Sequence, residues 1–444
     1  MTPQTHRIRQ RLYACATSIL FLAGSAGMLH AAAVCNVRNY GAKGNGTTMD
    51  TKAIQSAINA CEQKGGGTVL LPPGTYLSAP IMLKSNITFH LDKGATLLGS
   101  TNRADYPAIT EFRAPGRQAL VSAVKANNVT IDGQGTINGQ GQAWWQMARE
   151  YRNSGVLGSH HPRPRLVVFD HCDHVLLEGV TIENSPMWQV VPYYSNYVTI
   201  RNVRILAPPH SPNTDAIDPF SSSHVLIDHV YSDVGDDNVA IKSGMINSPG
   251  PDSPSYDITI KNCTFMHGHG LSVGSEMSGG AHNILAENIE FDGTDNGIRV
   301  KASRDRGHPV YNLVYRNIHM VNVKDALVIT EYYPRMMPPQ GVAPAPITRL
   351  TPHFHNIVLE NVSATGSRMA GVVVGLPEAP VTGVVLRNVA IVAQKGLTVG
   401  YATVTGQNFR VQAAGGPAIT KLAGAHVFLV TTKSSPKSAG KSQK

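Results

Sequence analysis

Three carboxylates, one histidine and two fixed cations recur at similar intervals in the middle of this chain. They sit in Asn213-Thr214-Asp215-Ala216, Gly235-Asp236-Asp237-Asn238, Gly268-His269-Gly270 and Arg299-Val300-Lys301. The steps from 215 to 236, from 237 to 269 and from 269 to 299 are 21, 32 and 30 residues. Carboxylates crowded at one place cannot all ionise easily, so one keeps its proton near neutral pH. A protonated Asp beside ionised ones suits cleavage of a glycosidic bond, with an acid for the leaving oxygen and a base for water. Arg299 and Lys301 offer fixed positive charge to a substrate carboxylate. His269, between two glycines, can approach closely and modulate the proton of the acid. All of this requires a fold that returns to one place every twenty to thirty-odd residues.

The sequence carries such a repeat. An aliphatic residue opens a short alternation that often ends in Asn and a second aliphatic residue, as in Val198-Thr199-Ile200-Arg201-Asn202-Val203. Other copies begin at Val175, Val225, Ile258, Ile284, Leu313, Ile357 and Val384, with weaker ones at Ile87 and Val129. Alternation is strand-like, and similarity at this period means stacked units. The fifth position is Asn at 202, 262, 288, 317, 361 and 388. Stacked Asn side chains can bond to their equivalents one coil away. The expected architecture is therefore an all-β parallel β-helix with an Asn ladder at one turn, ahead of a sandwich, whose turns come more often. Asp50 to Cys61 reads as a short helix, capped by Asp50 and ended by Gly65-Gly66-Gly67, that covers one end of the solenoid. No other helix of comparable quality is apparent. Residues 334–352, rich in Pro, read as an inserted loop. Each motif falls in the middle of its own coil. At about 4.8 Å per coil the four form a strip roughly 15 Å long. Gly235 would supply the bend that lets both Asp236 and Asp237 be used.

Composition bounds the rest. The chain has 444 residues, 42 Gly and 28 Pro, with 15% charged residues, which suits a turn-rich β protein and excludes a largely disordered one. Residues 1–33 have the layout of a secretory signal: Arg7, Arg9 and Arg11, an apolar run to Leu29, then Ala31-Ala32-Ala33. Its removal takes the formal charge from +9 to +6 and leaves Cys35, Cys61, Cys172 and Cys263. Export permits disulfides. Cys35 with Cys61 is the favoured pair, and Cys172 with Cys263 the second candidate. No cysteine pair has metal-ligand spacing. A basic exported protein points to an acidic polymer as partner. The basic residues are scattered and form no nucleic-acid motif, and no other stretch would span a membrane. The expected domains are the signal at 1–33, a catalytic β-helix at 34–430 and a basic disordered tail at 431–444, acting as a monomer.

At these motifs the chain resembles the polygalacturonases of glycoside hydrolase family 28, in their bacterial form. The matching segments read NTDA, GDDNVAIKSG, GHGLSVGSE and NGIRVK, with Asp132-Gly133-Gln134-Gly135, Trp144-Trp145 and Asn184-Ser185-Pro186-Met187-Trp188 in support. The likeness runs from about Asn36 to Ala418. It implies a single-stranded right-handed parallel β-helix of the pectin-lyase-like kind, hydrolysing α-1,4-galacturonan with inversion and without metal or cofactor. Position by position it makes Asp236 the general acid, with Asp215 and Asp237 activating water and His269 supporting the protonation state of the acid. Arg299 and Lys301 would bind the galacturonate carboxylate and Asn213 the sugar. A family tyrosine on the next coil matches Tyr333 best, with Tyr332 the alternative. Departures are small: Ala216 for Gly, Val300 for Ile, and Asn238 where many members have Cys. Carboxylates one coil apart, about 5 Å, would by separation alone suggest retention, whereas the resemblance implies inversion. Endo action is expected, with exo action the nearest alternative because the loop after Tyr333 could close the groove. A pectate lyase would need calcium and an Arg base, and a non-catalytic carbohydrate-binding β-helix would not need crowded carboxylates. The resemblance places the protein outside the cell or in the periplasm.

Overall fold

A computed structural model describes residues 33–154 and 161–430. The expected signal, apart from Ala33, and the expected basic tail at 431–444 lie outside the described residues. Strand Ala33–Asn36 opens the described chain and pairs in parallel with Gly67–Leu71.

The repeat read from the sequence is the register of the sheet. Val129, Val175, Val198, Val225, Ile258, Ile284, Leu313, Ile357, Val384 and Val404 pair directly, each with the next, in parallel ladders. All ten are buried, and they stack into one aliphatic column of a continuous core. Successive residues along each strand alternate inward and outward, so Val198 and Ile200 are buried while Thr199 and Arg201 are not. The result is a right-handed parallel β-helix.

The corners explain the Asn residues. Asn262, Asn288, Asn317, Asn361, Asn388 and Asn408 all take left-handed backbone angles, with φ between 51° and 55°. Asn tolerates that conformation better than other residues with a Cβ. Their side chains then run up the stack, each Nδ2 donating to the Oδ1 below at 3.0–3.2 Å. The ladder ends on Asp228, which accepts from Asn262 at 2.9 Å, while Asn202 turns instead to Glu178. A second ladder at another corner, Asp257–Asn283–Asn312–Asn356, was not anticipated. Its signal was legible as an Asp or Asn just before each opening aliphatic residue. Asn317→Ala is expected to cost about 1–2 kcal/mol, from the left-handed backbone and the lost bonds. Asn317→Gly should cost less, because Gly relieves the backbone term. Urea unfolding of the two variants checks the order, and equal costs would assign the effect to the hydrogen bonds alone.

Helix α1 spans Thr51–Gln63 and buries Ile54, Ala57, Ile58 and Cys61 against the first coils. Asp50 stands at its N-cap, but its carboxylate makes no capping bond. It accepts instead from Lys43 N and Gly44 N, closing the preceding loop. The Cys35–Cys61 disulfide is present. The second pairing does not form, and Cys172 and Cys263 are free and buried. Cys172 begins a corner column whose next members are Ser195, Ser222 and Ser255. Cys263 pairs with Ile289 in a strand interior beyond a different corner, out of disulfide reach. A second helix, α2 at Gln142–Asn153, was missed. It buries only Trp144 and Trp145, too narrow a stripe to read as amphipathic. Residues 334–352 form the expected insertion between strands Asp325–Thr330 and His353–Val374. Among the described residues no helix is long and apolar enough to cross a membrane.

Candidate active site

One face of the solenoid carries the motifs. Strands Ile81–Leu83, Val121–Val124, Val167–Asp170 and Val190–Tyr193 form its early rungs. Ile217 bridges Val190 to Val239, and strands Val239–Ile241, Leu271–Val273, Asn296–Lys301 and Asp325–Thr330 follow in register. Ile217, Val239, Leu271 and Ile298 point into the core. The residues after them, Asp218, Ala240, Ser272 and Arg299, therefore form an outward column. The motifs thus occupy adjacent rungs, as their spacing predicted.

Asp236 and Asp237 share a turn but have different surroundings. Gly235 is needed there because a Cβ would clash with Ser211 O, a close approach rather than a special φ. The side chain of Asp236 is 20% exposed and contacts His269 Nδ1 at 3.0 Å. It also accepts from Asp237 N at 2.9 Å. His269 is positioned by its own N–H on Asp236 O at 2.8 Å, and its Nε2 lies 3.6 Å from Asp295. The tight passage at Gly270, with φ of 79° and no room for a Cβ beside Asn296 O, fixes its approach. Burial would raise the Asp236 carboxyl, but the His269 hydrogen bond and charge outweigh it and hold it below the usual carboxylate range. Burial likewise works to lower His269, and Asp236 more than offsets it, so the imidazolium is favoured.

Asp237 is buried, and both its oxygens are engaged. Arg299 Nη2 donates to Oδ1, Ser272 Oγ donates to the same oxygen at 3.0 Å, and Lys301 Nζ donates to Oδ2 at 2.9 Å. Arg299 Nε also donates to Ser272 Oγ at 2.9 Å. Burial alone would raise Asp237, but the two cations pull it far below the usual range. The pair expected to be free for a substrate carboxylate is thus held by an internal one. Ser272, which orients this cluster, was not singled out from the sequence. Its alternation within Leu271-Ser272-Val273 was the only signal.

Asp215 is buried; among the described residues its Oδ1 has no hydrogen-bond partner, and its Oδ2 lies 3.6 Å from Lys242 Nζ. Burial first, then the charges of Asp218 and Asp236, push it well above the usual carboxylate range. Burial and crowding therefore raise Asp215 and its neighbour Asp218, whereas Asp236 is lowered. Asn213 is half-buried, and its Oδ1 accepts from the buried Arg163 at 2.6 Å. Asp218, Lys242 and Arg163 were all missed. Nothing local distinguishes a second Asp in a turn or a Lys among aliphatics, because their partners lie on other rungs.

Tyr333 lines a cavity of about 290 Å³ that also contacts His269, Arg299, Lys301, Lys324 and Arg335. Its ring lies 5.2 Å from Lys301 Nζ. Tyr332 turns away and donates to Gly375 O at 2.9 Å. The cavity is lined from His269 toward later rungs, and Asp215, Asp236 and Asp237 are not among its lining residues. On the other side the hairpin Ala108–Glu111/Ala114–Arg117 reaches across the face. Its Phe112 packs on Trp188, Tyr193 and Phe220 at centroid distances of 6.1, 4.2 and 5.5 Å. Arg113 fastens its tip to Asp252 at 2.9 Å, and Arg165, paired with Glu111, is sandwiched between Phe112 and Trp188. Phe220 shares its column with Lys242, so this roof covers the rungs beside Asp215.

Asp236, Asp237 and His269 offer ligand atoms within 4.8 Å of one another. Arg299 and Lys301 already occupy both Asp237 oxygens, so the cluster is organised as an ion-paired site rather than a cation cage.

A family model described as glycosyl hydrolases family 28 matches residues 61–413. A probable polygalacturonase of Vitis vinifera is 32% identical over 379 residues, covering 80% of this chain and 73% of that protein. An endo-polygalacturonase of Pectobacterium parmentieri is 32% identical over 300 residues, covering 64% of this chain and 72% of its own. A solved exopolygalacturonase from Thermotoga maritima superposes with a TM-score of 0.72 at 28% identity, covering 86% of this chain and 92% of that one.

Proposed function

The chain belongs to glycosyl hydrolase family 28, and from that premise we propose how this member of the polygalacturonases attacks its substrate. Galacturonan is the substrate and the reaction is hydrolysis. Asp236 is the general acid at the α-1,4 bond, and Asp215 and Asp237 activate the water. Inversion follows the family resemblance. The observation that carries this is the Asp236–His269 contact at 3.0 Å beside a second carboxylate clamped by Arg299 and Lys301.

The resting charges suggest the order of events. A galacturonate carboxylate entering beside Arg299 and Lys301 competes with Asp237 for them. Negative charge near Asp236 then rises, which favours its protonated form. The imidazolium of His269 supplies that proton across the existing contact. Tyr333 and Asn213 border the bound sugars. No cofactor or metal enters the scheme.

The sequence favoured endo action. One observation favours the exo reading instead: the hairpin roof, anchored by Phe112 on Tyr193 and by Arg113 on Asp252, covers the face on the Asp215 side. We favour attack from a chain end. The body at 34–430 is the catalytic domain of a monomer. Residues 1–33 act as an export signal, a reading supported by the Cys35–Cys61 disulfide, which suits an oxidising compartment.

The test is incubation with polygalacturonate in chelator, following reducing ends, unsaturation and product size. New reducing ends without unsaturation are expected, released as monomer or dimer from the start. Early mid-length oligomers would return the assignment to endo action. Unsaturated products would mean a lyase, and no products a non-catalytic binder.

A further inference from the structure

Asp218 is fully buried, and among the described residues neither of its carboxylate oxygens has a hydrogen-bond partner. A buried carboxyl that serves only the fold is normally satisfied. Glu331 is the contrast in this molecule: it is equally buried and accepts from Phe354 N and Leu376 N. Asp218 lies on the outward column with Ala240, Ser272 and Arg299, on the floor of the groove. Asp218 follows Asp215 by three residues on the same rung, where Gln189 N donates to Asp215 O and Asp218 N donates to Val190 O. On the same floor the buried Lys242 lies 3.6 Å from Asp215, 3.4 Å from Glu276 and 4.8 Å from the Trp188 ring.

We propose that Asp218 and Lys242 are positioning residues that act with opposite sign on Asp215 and so set the pH at which it becomes a base. Neither touches substrate. Asp218 is a carboxyl out of contact with water that, once ionised, disfavours ionisation of Asp215, and Lys242 is a cation that favours it. The other charged groups acting on this pair are Asp236, Asp237, Glu276 and Arg165, the last supplied by the aromatic roof. Asp218 is pushed up to about 8 by burial, against Lys242. The roof excludes water, which keeps both influences strong.

The inference rests on Asp215 acting as a base, and the experiment separates the two. Asp215→Asn first tests the base: retained turnover would remove the premise. With that variant inactive, the acid limb of the kcat/KM profile is measured for Asp218→Asn and Lys242→Met. Asp218→Asn should move the limb to lower pH and Lys242→Met to higher pH, each by about one unit. A purely structural role would lower stability and turnover and leave both limbs in place, which overturns the proposal. If Asp218→Asn does not fold, the direction for Lys242→Met and ¹³C-carboxyl titration of the unaltered protein decide. The titration should find Asp carboxyls still protonated well above the ordinary value of about 3.9. Every Asp titrating at or below that value would overturn the proposal.

Discussion

Asp236→Asn is expected to lower turnover on polygalacturonate by about 10²–10⁴-fold, the usual worth of a positioned proton donor, with KM little changed. Of the three clustered carboxyls, Asp236 alone is both open to the groove and in contact with His269. Asn has the same shape and can still accept from Asp237 N, so the turn survives. The free charge pattern makes the prediction sharp, because Asp236 has no proton of its own at rest and must receive one. Reducing-end kinetics together with oligogalacturonate binding would check both halves. Near-normal turnover would assign proton donation to another group, and lost binding would make Asp236 a substrate ligand instead.

Asp237→Ala should be inactive and also unstable. It would leave Arg299 and Lys301 side by side without the anion that both now hold. Breaking a buried ion pair from one side costs about 3–5 kcal/mol. The pH dependence has a defined sign. The folded-state pKa of Asp237 is depressed, so its contribution is fully present above the unfolded value of about 3.9 and is lost as pH falls through the folded value. The stability gap between wild type and variant should therefore be widest near neutrality and narrow below about pH 4. Chemical denaturation at two pH values would measure it. A gap that stays constant on acidification would mean that Asp237 acts through packing and not through charge.

The solenoid and the motif strip were legible in the sequence because both are periodic. Aliphatic residues at one phase and Asn at a left-handed corner are local signals that repeat, so even modest copies reinforce one another. The line from Asp215 to Lys301 followed by placing the motifs on that period, and Tyr333 came from the family resemblance. What was not legible depends on contacts between rungs. Lys242 and Ser272 gain meaning only when the next coil sets Asp215 or Asp237 beside them. Asp218 looks like any Asp in a turn until its lack of partners is known. The hairpin at 108–117, with Pro115 and Gly116, resembles a surface loop, and only its three-dimensional course over Trp188 and Phe220 makes it a roof. Arg299 and Lys301 lie on the motif face, but their internal occupant, Asp237, was not foreseen.

Stacking also decides where this molecule comes apart first. Each coil contacts chiefly its sequence neighbours, so loss of structure should spread inward from an end rather than open the middle. Strand Ala425–Val430 is the last rung among the described residues, where it pairs with one strand, and Phe428, Leu429 and Val430 are exposed. The opposite end is covered by α1 and tied by the disulfide. In hydrogen exchange the amides of 402–430 should therefore lose protection first, and those around Val239, Leu271 and Ile298 should persist nearly until global unfolding. Placed in the middle of its stack, the catalytic strip outlasts the fraying of the coil ends.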